Sequence, residues 1–361
     1  MAKAVNSGAG TLRVLVVDDS AFMRRIITDL LQSDEGIEVV GTARDGLEAV
    51  EKNLSLQPDV ITLDVEMPRL DGYGALREIM ARRPTPVVMV SSLTREGAQA
   101  TIRALALGAV DFVTKPSGTI SLDMHLVRDE LVAKVKAAAR ATPRYRRVLG
   151  DLPARKQGLK PFRPQARGTP EEMPRQVVVI GCSTGGPSAL HEIVPRLPAD
   201  LPAGVLVVQH MPAGFTRSLA RRLDEISGIA VKEAEEGDPV TAGMVLVAPG
   251  GYHMTVDNRG RIRLDQGPPL HGVRPAVDRT LSSVVSVWKD RTIGVILTGM
   301  GYDGARGCRE LKQAGGRTIA EDATTCVVYG MPRVVVEMGL ADMVLPVHHI
   351  AAALVRLVRE G

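Results

Sequence analysis

Residues 176 to 191 read QVVVIGCSTGGPSALH. A β-branched run enters glycine and an apolar pattern of helical period follows, so the stretch reads as strand, sharp turn, helix. Gly181, Ser183 and Gly185 fit G-x-S-x-G, the turn that lifts a serine out beside a helix N-terminus. Pro187 suits the first helical turn. The same letters also make an ordinary anion-binding turn, and a serine needs a base before it is a nucleophile. Downstream, VLVVQH (205–210), VLVAPG (245–250), TIGVILTG (292–299) and GRTIAED (316–322) are further apolar runs with helical patterns between several of them. HMTVD (253–257) and RIRLD (261–265) read as a hairpin. The pattern predicts a doubly wound, mostly parallel α/β sheet with helices on both faces and a small antiparallel hairpin.

Upstream, a second α/β pattern occupies the N-terminal half: RVLVVDD (13–19), EVVGTA (38–43), DVITLD (59–64), PVVMVSS (86–92) and DFVTKP (111–116) alternate with amphipathic stretches. Two domains account for 361 residues at roughly 150 per domain. The boundaries read as 11–135 for the first, 136–173 for a linker and 174–361 for the second. Aromatics make up only 3%, which disfavours an aromatic stacking platform for RNA. No apolar run approaches a membrane span, and the first ten residues lack a signal-peptide core, so a cytoplasmic protein without membrane insertion is expected. Three cysteines, with no CxxC and no histidine at zinc spacing, set aside disulfides and structural zinc.

The pI near 9.0 invites a nucleic-acid reading. Between Arg140 and Gly168, however, nine basic residues face one acid, Asp151, while the whole chain carries only +4; the rest is slightly acidic. With Pro143, Pro153, Pro161 and Pro164, this stretch reads as an extended, self-repelling tether.

Chemistry in parallel sheets gathers at the carboxyl ends of strands. In the first domain those ends carry Asp18, Asp19, Asp64, Ser91 and Lys115. Three converging carboxylates repel unless a divalent cation compensates them, and oxygen ligands suit Mg²⁺. Such a set can accept a phosphoryl group and stabilise its charge. In the second domain, His210 alone of seven histidines closes a buried parallel-type strand at the edge where Ser183 should lie. Asp303, shortly after TIGVILTG, is the leading acid; Asp278 and Asp257 follow no comparably buried strand. The order Ser, His, Asp differs from that of an α/β-hydrolase, so the triad would be convergent chemistry on another fold. Backbone N–H groups after Ser183 or around Met300 are candidate oxyanion donors.

Two rivals share these residues. Cys182 is a second potential nucleophile, although the elbow position belongs to Ser183. Gly299, Gly301 and Gly304, with Glu321 some twenty residues on, approach the dinucleotide fingerprint, against which Asp303 would place a negative charge at the pyrophosphate.

The first half, through VVDDS, LDVEMPRLDG, VSS and FVTKP, resembles a response-regulator receiver domain of (βα)5 flavodoxin-like fold. The second, through GCSTGGP, QHMP, APGGYHM, RPAVD, LTGMGYDGARG and YGMPR, resembles the catalytic domain of chemotaxis protein-glutamate methylesterases. The resemblance implies Asp64 as phosphoacceptor, and a Mg²⁺ site of Asp18, Asp19, Asp64 and the Glu66 carbonyl. It also implies Ser91, Lys115 and Phe112 as the phosphate switch, and a Pro116 that commonly follows a cis peptide. For the second domain it implies Ser183 as nucleophile, His210 as base, Asp303 as orienting acid and the Met300 N–H as oxyanion donor. Cys182 departs from the small residue usually found before that serine. The implied activity is hydrolysis of glutamate γ-methyl esters, and deamidation of glutamines, on the cytoplasmic helices of chemoreceptors, without a cofactor for the esterase. A chemotaxis histidine kinase is the implied phosphodonor, and the unphosphorylated receiver the implied inhibitor. A DNA-binding output is disfavoured because no helix-turn-helix pattern follows the linker; a pure phosphate sink leaves the triad candidates unexplained. Titration with dinucleotides is expected to show no saturable binding; a stoichiometric fluorescence or calorimetric signal would reinstate the nucleotide reading.

Overall fold

A computed structural model describes residues 11–115, 124–150 and 173–360, with side chains of the 124–150 stretch described over 127–141. The chain divides into two compact units between Arg146 and Arg147.

In the first unit β1 (Leu12–Val17), α1 (Ala21–Gln32), β2 (Ile37–Ala43), α2 (Gly46–Leu56), β3 (Val60–Asp64), α3 (Gly72–Arg82), β4 (Val87–Ser91), α4 (Arg95–Leu107), β5 (Asp111–Thr114) and α5 (Met124–Gly150) follow in order. The strands form one parallel sheet ordered β2-β1-β3-β4-β5. β1, β3, β4 and β5 are largely buried, as near-continuous apolar runs require of a sheet covered on both faces, while the edge strand β2 is only partly so. Strand order reverses between β1 and β3, which opens a crevice at their carboxyl ends. Short polar side chains start the helices: Ser20, Asp45, Asp71 and Thr94 each accept a first-turn N–H of α1 to α4.

The expected boundary at 135 falls inside α5, which runs on to Gly150. The basic charge and prolines that suggested an extended tether from 136 hide an alanine-rich segment. Val135, Ala138 and Ala141 are buried there, and alanine is the best helix former. Most of the basic stretch, from 151 to 172, lies outside the described residues, as does Pro116.

The second unit begins with β6 (Gln176–Cys182), α6 (Gly186–Ile193), β7 (Ala203–Gln209), α7 (Phe215–Ile226), β8 (Ala230–Glu233) and β9 (Met244–Val247). The hairpin β10 (His253–Val256) and β11 (Ile262–Asp265) precedes α8 (Val277–Trp288). Then come β12 (Thr292–Ile296), α9 (Ala305–Gln313), β13 (Arg317–Glu321), α10 (Met331–Glu337), β14 (Met343–Leu345) and α11 (Val347–Glu360). Seven strands form a parallel sheet ordered β14-β13-β12-β6-β7-β9-β8, and β10 pairs antiparallel with β11 apart from it. From β6 the chain builds outward through β7 to β8 and β9, then returns to add β12 on the other side. The crevice between β6 and β12 is therefore the place where this topology seats chemistry. Beneath it Trp288 is fully buried and donates its indole N–H to the Pro174 carbonyl at 2.8 Å.

Gly72 shows how closely the first unit is fitted around its crevice. A Cβ there would stand 2.0 Å from the Asp64 carbonyl oxygen. Gly72→Ala should destabilise the first unit by about 1–3 kcal/mol through forced backbone movement, read as a lower denaturant midpoint for that unit; an unchanged midpoint would show the contact to be slack.

Candidate functional site

The parallel register of the second sheet sets Ser183 and His210 side by side. Each begins where its strand stops, and the His210 N–H donates to the Cys182 carbonyl at 3.1 Å. On the other flank of β6, the Ser183 N–H donates to the Thr298 carbonyl at 3.0 Å, which ties the serine to the end of β12. A Cβ on Gly299 would lie 2.8 Å from the Ser183 Cβ, so the loop after β12 passes directly against the serine. Asp303 lies further along that loop, and its Oδ2 is 2.8 Å from His210 Nε2.

Asp303 is buried, yet its carboxyl is held below the usual carboxylate range. Burial alone would raise it; His210 and the N–H groups of Asp278 and Val277 outweigh that effect. Those N–H groups, at 2.9 and 2.6 Å, are the first two of α8, so the carboxylate sits on a helix N-terminus. Asp278 returns the arrangement: its Oδ1 accepts the Gly307 N–H in the first turn of α9 at 2.8 Å. Its Oδ2 is 2.9 Å from His271 Nε2, and the His271 ring packs edge-on against Tyr302 at 4.7 Å. With Nε2 of His210 engaged, Nδ1 is its remaining proton-accepting nitrogen. Among the described residues the Met300 N–H donates to no group of the chain, and Met300 is 47% exposed.

In the first unit, Lys115 Nζ lies 2.9 Å from Asp18 Oδ2 and 2.8 Å from Asp64 Oδ2. Carboxylate oxygens of Asp18, Asp19 and Asp64 all fall within 4.8 Å of one another. Asp18 and Asp64 are buried and Asp19 is exposed. Burial, with the charge of Asp18 adding to it, raises the Asp64 carboxyl to about 6 against the opposing pull of Lys115. The two oxygens facing the ammonium are at ion-pair distance but lack an aligned hydrogen bond. One ammonium against three carboxylates leaves negative charge uncompensated, and a hard divalent cation with oxygen ligands fits that donor set. Glu66 approaches through its backbone, its N–H donating to Asp64 Oδ1 at 3.4 Å. Lys115 is fixed by its own N–H to the Ser91 carbonyl at 2.8 Å, and the Ser91 hydroxyl donates to Ser92 O at 3.2 Å. Phe112 is buried on the adjacent strand, with Lys134 Nζ 5.1 Å from its ring centre.

Comparison with known proteins finds a match for each half of the chain. The description "CheB methylesterase" matches residues 178–354, and "Response regulator receiver domain" matches residues 14–126. A protein-glutamate methylesterase/protein-glutamine glutaminase of Symbiobacterium thermophilum is 72% identical over 355 residues, covering 97% of this chain and 98% of that protein. The chain belongs to the CheB methylesterase family. A relative of the same name in Thermotoga maritima is 50% identical over 350 residues, covering 96% of this chain and 98% of that protein. The crystal structure of the Thermotoga maritima CheB methylesterase catalytic domain is 51% identical and covers 50% of this chain and 98% of its own, with a TM-score of 0.49. No helix among the described residues is long and apolar enough to cross a membrane.

Within this CheB-family site the rival readings lose their footing. Cys182 is fully buried, and burial drives its thiol far above its ordinary value, so the reactive thiolate is suppressed. The glycine-rich loop at 299–304 is occupied by the Asp303–His210 pair, and Glu321, the acid a nucleotide ribose would need, is buried at the end of β13. Glu321 instead accepts the Thr298 N–H at 2.8 Å and the Thr325 hydroxyl at 2.9 Å. Thr298 in turn donates its hydroxyl to the Thr184 carbonyl at 2.9 Å. Sequence reasoning did not assign a site role to Thr298 and ranked Asp278 below Asp303. The signal for Asp278 was its place behind Pro275 at a helix start, a position that offers N–H groups to a neighbour.

Burial raises the Glu321 carboxyl to about 7 from an ordinary 4.5. Between these values the folded chain holds a proton that the unfolded chain has released. The stabilisation is therefore complete below 4.5 and declines as pH rises through about 7, by a total of about 3 kcal/mol. Melting of the second unit from pH 4.5 to 8 should show this slope, and Glu321→Gln should flatten it; parallel curves would refute the assignment.

Proposed function

We propose that this chain is a protein-glutamate methylesterase and protein-glutamine glutaminase whose activity is raised by phosphorylation of Asp64. The observation that carries the reading is the His210–Asp303 hydrogen bond of 2.8 Å beside the strand end bearing Ser183. Ser183 Oγ attacks the γ-carbonyl carbon of a glutamyl methyl ester while a ring nitrogen of His210 takes its proton. Asp303 holds the ring and stabilises the imidazolium. The Met300 N–H faces the charge that develops on the carbonyl oxygen; a donor of this kind is worth about 3–4 kcal/mol of barrier. The C–O bond to methoxide breaks, His210 returns the proton, and methanol leaves a γ-glutamyl ester on Ser183. Water, deprotonated by His210, then attacks that ester and releases glutamate and the free hydroxyl. With glutamine the same acyl transfer expels ammonia. This chemistry needs no cofactor.

The proposed substrate is the cytoplasmic helical region of a chemoreceptor, which makes the protein cytoplasmic, with neither nucleic acid nor membrane insertion in its function. The phosphodonor is a chemotaxis histidine kinase. Asp18, Asp19, Asp64 and the Glu66 carbonyl would hold Mg²⁺, which when bound offsets their mutual repulsion and the charge of an incoming phosphoryl group. Lys115 and Ser91 then pair with the phosphate oxygens, and Phe112 responds to that rearrangement. In this reading the receiver comprises 11–135 and the esterase 174–361, with α5 extending the receiver's last helix beyond 135.

Methanol release from methylated receptor membranes tests the reading. Ser183→Ala and Asp303→Asn should each lower kcat by about 10³-fold or more, whereas Cys182→Ala should stay active, within about tenfold of the parent chain. A small acyl phosphate should accelerate the intact chain and leave Asp64→Asn unchanged. A 174–361 fragment should outpace the unphosphorylated whole; equal rates would end the case for inhibition by the receiver.

A further inference from the structure

Gln209, the last residue of β7, is buried between the two strand ends that carry the nucleophile and the base. Its amide Nε2 donates to the Ser183 carbonyl at 3.0 Å and to the His210 carbonyl at 3.1 Å. One NH₂ group thus spends both hydrogens on the backbone of the two residues whose separation matters most. Its orientation follows from the partners alone, because the flipped amide would press its oxygen against two carbonyl oxygens. The amide oxygen faces Cys182, whose Sγ–H donates to Oε1 at 3.0 Å. Gly186 completes the enclosure: a Cβ there would stand 2.0 Å from Oε1, so glycine lets the first turn of α6 close over the amide.

We propose that Gln209 is a positioning residue for ester hydrolysis: its side-chain amide, oriented by the Cys182 thiol, locks the Ser183 and His210 backbones in reacting register. This gives the cysteine before the nucleophile a role that its position beneath the elbow otherwise leaves unexplained. It donates a hydrogen bond that an alanine cannot, and its buried thiol stays protonated to do so. Main-chain pairing of β6 with β7 aligns the strands, but it ends at Cys182 and Gln209. Beyond that point the His210 N–H to the Cys182 carbonyl and the amide clamp span the two ends. Loss of the clamp frees the serine and the imidazole to drift apart, and displacements near 1 Å cost up to about 10²-fold in rate. Substrate contacts, by contrast, are left in place.

The inference rests on the reading of Ser183 and His210 as nucleophile and base, and the test separates the two. Full-length chain, activated by a small acyl phosphate, is assayed for methanol release from methylated receptor membranes, with circular dichroism and melting as checks on folding. Gln209→Met, close in volume but without the amide, should lower kcat about tenfold or more with KM within about twofold. Cys182→Ala should lower kcat by about threefold or more, and Cys182→Ser, which restores a donor, should recover most of that loss. Wild-type kcat in Gln209→Met, with Ser183→Ala inactive, would overturn the clamp while leaving the esterase reading intact. Full turnover in Ser183→Ala would overturn both. Should Gln209→Met fail to fold, the cysteine pair decides: alanine slower than serine upholds the clamp, and equal rates overturn it.

Discussion

The seating of Asp303 on the N-terminus of α8 is the constraint on which the proposed chemistry of the second unit depends. A carboxylate this deeply buried would ordinarily take up a proton, and a protonated acid cannot stabilise an imidazolium. Two main-chain N–H groups and the His210 ring keep it ionised. Main-chain donors cannot rotate away, so the ring they orient through Asp303 is held as firmly as the helix itself. The parallel sheet supplies the rest: strand order alone brings β7, β6 and β12 into adjacency, and their carboxyl ends into one crevice.

Much of this was legible in the sequence because buried parallel strands advertise themselves. VVVIG, VLVV and GVIL are continuous apolar runs, and the residues that follow them are polar for a reason other than solvation. Ser183, His210 and Asp303 were picked out on that logic, and the structure puts His210 against Asp303 and beside the strand end of Ser183. The elements without such a signature were missed. β8 is a four-residue edge strand and β14 a three-residue one, both only partly buried, so neither carries a strong pattern. The helical start of the tether was missed because charge and proline content say nothing about the alanine face that α5 buries.

Hydrogen-bond relays between main chain and side chain were also beyond sequence reasoning. That Asp278 caps α9 while Asp303 caps α8 depends on how the two helices pack around β12, which no spacing reveals. Glu321 is a case where the letters misled. Placed twenty residues beyond a glycine motif, it mimicked a ribose ligand, yet the fold buries it to hold Thr298, which in turn anchors the serine turn.

The crossed exchange between Asp278 and Asp303 makes the two helices hostages of each other. α8 lends Asp278 to the first turn of α9, and the loop entering α9 lends Asp303 to the first turn of α8, so neither end can fray without exposing the other's. Transplanting the proposed triad to a different scaffold therefore means moving a matched couple of helices, three point changes being too few, and an evolving chain must alter both ends together or neither.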